Sequence, residues 1–135
     1  MRFRLLGFIA AALSGILAAA AFPPSDISGL IWISLVPLLF VLIQCPPLSA
    51  LVYAFVFCMV FHTGIFAWMF QLPHYTFFHH LLLGLLLTIW FGAACLVINL
   101  VARRFGILSA LIAAPLAWVL YEWLHSNWGF LSLPW

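Results

Sequence analysis

A chain of 135 residues with four basic and two acidic side chains, a net charge of +2 and 69% hydrophobic residues has too little charge to cover a water-soluble surface. That excludes a soluble globular domain and places the chain in a bilayer. Crossing roughly 30 Å of hydrocarbon takes ~20 mostly apolar helical residues, because unpaired backbone groups find no water there.

Five segments meet that test, at residues 4–22, 27–43, 48–70, 80–101 and 106–125. The expected fold is an all-α integral membrane protein, a single multispan transmembrane domain whose helices form an antiparallel bundle. The first span carries Ala10, Ala11, Ala12, Gly15 and Ala18 to Ala21, small residues that let two helices approach closely. Arg2 and Arg4 before Leu5 to Ala21, with Ala19-Ala20-Ala21 as a cleavage site, also read as a signal peptide, and cleavage would leave four spans. The second apolar run that follows at once, and Phe22-Pro23-Pro24 as a poor mature N-terminus, favour a retained first span.

Phe22-Pro23-Pro24-Ser25-Asp26 stops the first helix and offers Ser25 or Asp26 as N-cap for the next. The second span is short and contains Pro37, which costs a helix hydrogen bond that neighbouring helices can tolerate. Gln44-Cys45-Pro46-Pro47 separates it from the third span. Residues 71–80 form a polar and aromatic connection, and Ala102-Arg103-Arg104-Phe105-Gly106 a basic turn before the last span.

Short basic loops stay on the cytoplasmic side. Arg2 and Arg4 put the N-terminus inside, and five crossings then bring Arg103 and Arg104 inside as well, with Asp26, the histidine loop and residues 122–135 outside. Both basic clusters agree on one topology.

The three cysteines form no ligand spacing: Cys58 and Cys95 are apolar fillers inside spans, and Cys45 falls on the reducing side. His62 lies ~21 Å along its span and reaches the outer histidines, His74, His79, His80 and His125, only loosely. They read as interfacial polar residues plus one hydrogen-bonded intramembrane histidine, with no metal site and no cofactor. Trp68, Tyr75, Trp118, Tyr121, Trp123, Trp128 and Trp135 gather toward the outer interface, where amphipathic rings anchor helices. Their one-sidedness also suits an outer face that handles lipid.

Glu122 is the acid that needs a reason. It lies ~24 Å along a helix starting at Gly106, with His125 at i+3 and Trp118 at i−4. Two readings stand: an interfacial carboxylate bonded to His125 or backbone, and a polar anchor beneath an outer-face site.

Around this acid run Pro115-Leu116-Ala117-Trp118-Val119-Leu120-Tyr121-Glu122-Trp123-Leu124-His125-Ser126 and Gly129-Phe130-Leu131-Ser132-Leu133-Pro134-Trp135. The stretch resembles the signature of bacterial apolipoprotein N-acyltransferases, a Pro-x-x-Trp-x-x-x-Glu-x-x-Arg helix followed by a Gly-Phe-Pro-Trp segment. Ala21-Phe22-Pro23-Pro24 with Trp32 and Pro37 is similar to that family's first hairpin, and Tyr53 to Trp68 to its third span. Two departures stand out. His125 takes the place of the family's Arg, replacing a permanent charge by a titratable one, and residues 131–133 lengthen the final segment.

The resemblance implies a bacterial inner-membrane enzyme that moves an acyl chain from phospholipid to the N-terminal cysteine amine of a lipoprotein. It also implies a periplasmic nitrilase-like domain with a Glu-Lys-Cys triad and a thioester intermediate. This sequence contains no Lys, so it cannot hold that triad, and no catalytic residue is assigned within it. It reads as an N-terminal membrane fragment that positions substrates, with Glu122, Trp118, His125, Trp128, Pro134 and Trp135 on the substrate side. The expected partners are membrane phospholipid and, through the domain not present, diacylated lipoproteins; no nucleic acid is expected. The alternative is a non-enzymatic multispan scaffold, a transporter subunit or the membrane anchor of a polyprenol-linked glycosyltransferase.

Overall fold

The computed structural model describes residues 2–23 and 25–127. Every regular element among them is helical: α1 (Arg2–Ala20), a 3-10 turn (Ser28–Leu30), α2 (Ile31–Ser34), α3 (Val36–Leu42), α4 (Pro47–Ile65), a 3-10 stretch (Ala67–Gln71), α5 (Phe77–Phe105) and α6 (Ile107–Asn127). α4, α5 and α6 are each long and apolar enough to cross a membrane, while α1 and the Ser28–Leu42 segment are shorter apolar helices. Large side chains such as Leu5, Ile16, Leu82, Ile89, Ile112 and Leu116 are exposed, a surface that suits lipid tails rather than water. The chain is an all-α membrane protein.

The second predicted span is not one helix. Pro37 has no N–H to give Ile33, and the ladder breaks at Leu35 between α2 and α3. The Leu38 N–H turns instead to the buried Ser14 hydroxyl of α1, 2.9 Å away. The third predicted span is also shorter than its apolar run: α4 ends at Ile65, and residues 67–71 wind into a 3-10 stretch. α5 starts earlier and runs further than expected, for Thr76 and His79 form a capping box at its start and Gly106, with φ of 88°, ends it.

α1 and α4 pack in parallel. A Cβ on Gly7 would strike Tyr53, one on Gly15 would come within 2.9 Å of the Phe57 carbonyl and Val60 Cβ, and one on Gly64 would strike Ala19. Glycine at these places lets the two backbones approach, as the small-residue composition of the first span predicts. Since α1 and α4 point the same way, the broken Ser28–Leu42 segment has to return the length of the bundle between them. α5 runs antiparallel to α4, with Thr63 beside His80 at one end and Asn99 bonded to Leu42 and Cys45 at the other. α6 then folds back on α5.

These directions sort the charges. Arg4, Arg103 and Arg104 share one end of the bundle, and Asp26 and Glu122 the opposite end. Between them the core is aromatic: Phe57 stacks on Phe91 at 4.7 Å between centroids, and Phe91 meets Tyr121 edge-on at 5.5 Å.

Candidate functional site

Because α6 packs on α5, while α3 packs on α1, α4 and α5, the space between α3 and α6 stays open. It is a cleft of about 600 Å³, within the size range of small-molecule sites. Phe57, Phe61 and Phe91 form its back wall, Trp32 and Leu35 one side, and Leu111, Pro115 and Trp118 the other. Among its polar groups, Ser34, His62 and Glu122 come from three different elements.

Glu122 stands at the acidic end of this cleft. The Trp118 indole N–H donates to its Oε1 at 2.8 Å, one helical turn away. Trp118 is itself held edge-on by Phe91 at 5.9 Å and by Tyr121 at 5.6 Å. The carboxylate is therefore aimed by an indole that the core fixes. His125 turns inward, 2% exposed, against Tyr121. Tyr121 is equally buried and so belongs to the core, not to an interfacial belt. Trp68 and Trp123 are exposed, as interface anchors are. Trp128, Pro134 and Trp135 lie outside the described residues.

The histidines divide by role. His79 accepts from the Thr76 N–H at 3.1 Å and caps α5. His74, at φ of 67°, makes a left-handed turn in the connection. His80 is buried and joins the connection to α4. The Thr63 hydroxyl gives its proton to the Met59 carbonyl at 2.6 Å, so its oxygen accepts from His80 Nε2–H at 2.9 Å. His80 Nδ1 then accepts from the Tyr75 hydroxyl at 3.1 Å. Burial pushes the Tyr75 hydroxyl up, which keeps that donor protonated. His62 is buried and stacked on Phe66. Among the described residues no group of three or more His, Cys, Asp or Glu is placed to hold a metal ion.

Cys45, Cys58 and Cys95 are free and buried, the last two in the cleft wall. What the arrangement offers is binding: an apolar slot open to lipid, with one oriented carboxylate at its end. Trp118 and Glu122 are brought together as the sequence spacing implies. Phe57, Phe61 and Phe91 line the cleft without a mark in the sequence, because in runs where nearly every residue is apolar no periodicity shows which face lines a cleft.

The model of the apolipoprotein N-acyltransferase N-terminal domain family matches residues 14–135. Comparison with curated proteins gave no match, and neither did comparison with solved structures.

Proposed function

Because this chain belongs to the apolipoprotein N-acyltransferase N-terminal domain family, we propose that it serves as the membrane part of an enzyme that moves an acyl chain from phospholipid to the N-terminal cysteine amine of diacylated lipoproteins. Its own share of the work is positioning. The thiolate that takes the acyl group and the lysine that accompanies it are not supplied by these residues, which contain no Lys. Holding lipid substrates at a fixed depth and orientation converts a search through the bilayer into a local encounter.

The observation that carries this reading is the lipid-facing cleft with Glu122, oriented by Trp118, at its end. The arginine end sits on the cytoplasmic side of the bacterial inner membrane, following the bias of basic turns, and the Glu122 end on the periplasmic side. His125 packs against Tyr121, and Trp128, Pro134 and Trp135 belong to the substrate-positioning set by their place in the family signature. The partners are membrane phospholipid and diacylated lipoproteins.

The test is made in the enzyme that carries this domain. Glu122→Gln and Trp118→Phe should each slow N-acylation of a diacylated lipopeptide by about tenfold, the equivalent of ~1.4 kcal/mol in the barrier, with equal amounts of inserted protein. Unchanged rates in both variants would overturn the positioning role.

A further inference from the structure

The arginine end of the bundle has no acid to neutralise it. Asp26 and Glu122 are the only acidic side chains in the sequence, and both belong to the opposite end. Arg4, Arg103 and Arg104 are all exposed. Two of them flank the turn between α3 and α4: the Arg4 carbonyl lies 3.5 Å from the Tyr53 hydroxyl of α4, and Arg103 stands one helical turn beyond Asn99, which bonds Leu42 and Cys45. Gln44, the exposed polar side chain of that turn, is uncharged. The bias of basic turns accounts for the side on which these arginines fall, but not for their depth.

Their depth is set by α5. Its 29 residues rise ~43 Å, or ~41 Å at a usual tilt of ~20°, against roughly 30 Å of hydrocarbon and about 40–45 Å of bilayer with headgroups. The helix therefore ends at the level of the phosphates rather than beyond them, and Arg103 and Arg104 occupy its last turn. Adjacent helical positions do not face each other, so Arg103 turns toward the Gln44 turn and Arg104 away from it. Under Arg104, at i−4, i−7 and i−11, the same face carries Leu100, Val97 and Ala93, all exposed. Phe105 and Leu108 beside it are more exposed still.

We propose that Arg104, aided by the field of Arg103 and Arg4, holds an anionic glycerophospholipid of the phosphatidylglycerol type in the leaflet at the arginine end, its phosphate on the guanidinium and one chain along Leu100 and Val97. The planar fork of an arginine matches two phosphate oxygens. Phosphatidylethanolamine offers the same phosphate, but its ammonium meets three arginines and no carboxylate at this end, so net charge decides between the two lipids. A soluble phosphate compound would leave the apolar strip under Arg104 uncovered. The site lies at the other end from Glu122 and does not depend on acyl transfer.

The test is photolabelling of the full chain in vesicles of equal parts phosphatidylglycerol and phosphatidylethanolamine, at about pH 8, where histidine is ordinarily neutral. Each lipid is supplied in turn as a probe with a diazirine beside the ester. At low salt the phosphatidylglycerol probe should label Leu100, Phe105 and Leu108 about tenfold more than the phosphatidylethanolamine probe, since each basic residue near an anionic leaflet contributes severalfold. Phe78 and Leu82, exposed at the other end of α5, should take both probes equally. Raising salt from about 0.01 to about 1 M cuts the Debye length from ~30 to ~3 Å and should shrink the excess at the arginine end. Arg104→Gln should remove most of the excess at Leu100, and Arg104→Lys, which keeps the charge, should retain it. Equal labelling by both probes at the arginine end, the same preference at both ends of α5, or cross-links from Leu100 to a second chain would overturn the proposal. So would an excess that ignores salt or survives Arg104→Gln. If a variant fails to insert, the wild-type salt series decides alone.

Discussion

Asn99 is fully buried, and both carbonyls it bonds belong to one turn, those of Leu42 and Cys45. An amide in that setting holds a helix and a turn in register, because a lost donor would strand two acceptors in a low-dielectric interior. Cys45 lies under the same clamp, and burial pushes its thiol up, so the reactive thiolate is scarce at neutral pH. Asn99→Leu should therefore raise the rate at which a maleimide modifies Cys45 in the membrane-embedded protein by about tenfold, for ~1.4 kcal/mol of lost hydrogen bonding, while Cys58 and Cys95 stay protected. Peptide mass spectrometry over time reads this, and equal rates in variant and wild type would contradict the clamp. At this scale the sequence shows its intrahelical acid readily, since Glu122 is conspicuous in an apolar helix and Trp118 stands one turn away. Asn99 is silent, because a polar residue in a span does not announce which distant carbonyl it serves.

The broken return segment shows how an element can be stable while violating the helix ladder. Pro37 removes one bond, the chain bends at Leu35, and the Leu38 N–H that loses its intrahelical acceptor is taken up by Ser14 of another helix. Ser14→Ala should cost about 1–2 kcal/mol, in the upper range for hydrogen bonds between membrane helices. Adding Pro37→Ala should recover most of that loss, since the backbone can then close on Ser34. Unfolding in mixed micelles gives both values, and strictly additive effects would show that the two sites are independent. Pro37 made the weakness visible beforehand; its remedy depends on which helix lies alongside. The overrun of the third predicted span has a different cause. Residues 66–70 are as apolar as the helix before them, so hydropathy carries no stop, and the turn to 3-10 geometry comes with the connection that His80, Thr63 and Tyr75 tie down.

For the whole molecule, parallel α1 and α4 and antiparallel α4, α5 and α6 gather Arg4, Arg103 and Arg104 at one end. Reporter fusions should accordingly report Gln44 and Arg104 on the cytoplasmic side and Leu72 and Asn127 on the periplasmic side. Gln44 and Leu72 on a common side would refute the arrangement. The bundle and the sorting of its charges are readable from composition and basic turns, because the cost of unpaired backbone and of charge in hydrocarbon dominates at this scale. The cleft is not, since its lining comes from residues as distant as Ala18 and Glu122 and appears only once the return segment and α6 are found apart.

The glycine seam between α1 and α4 carries a consequence for biogenesis. Translation finishes α1 well before the helix whose backbone it grips, and everything from Ala21 to Pro46 emerges in between. Lateral release into lipid must then precede the embrace, leaving Gly7 and Gly15 against acyl tails until their mate arrives, so that insertion and assembly are separate steps in time and a stall before residue 47 strands a hairpin without its scaffold.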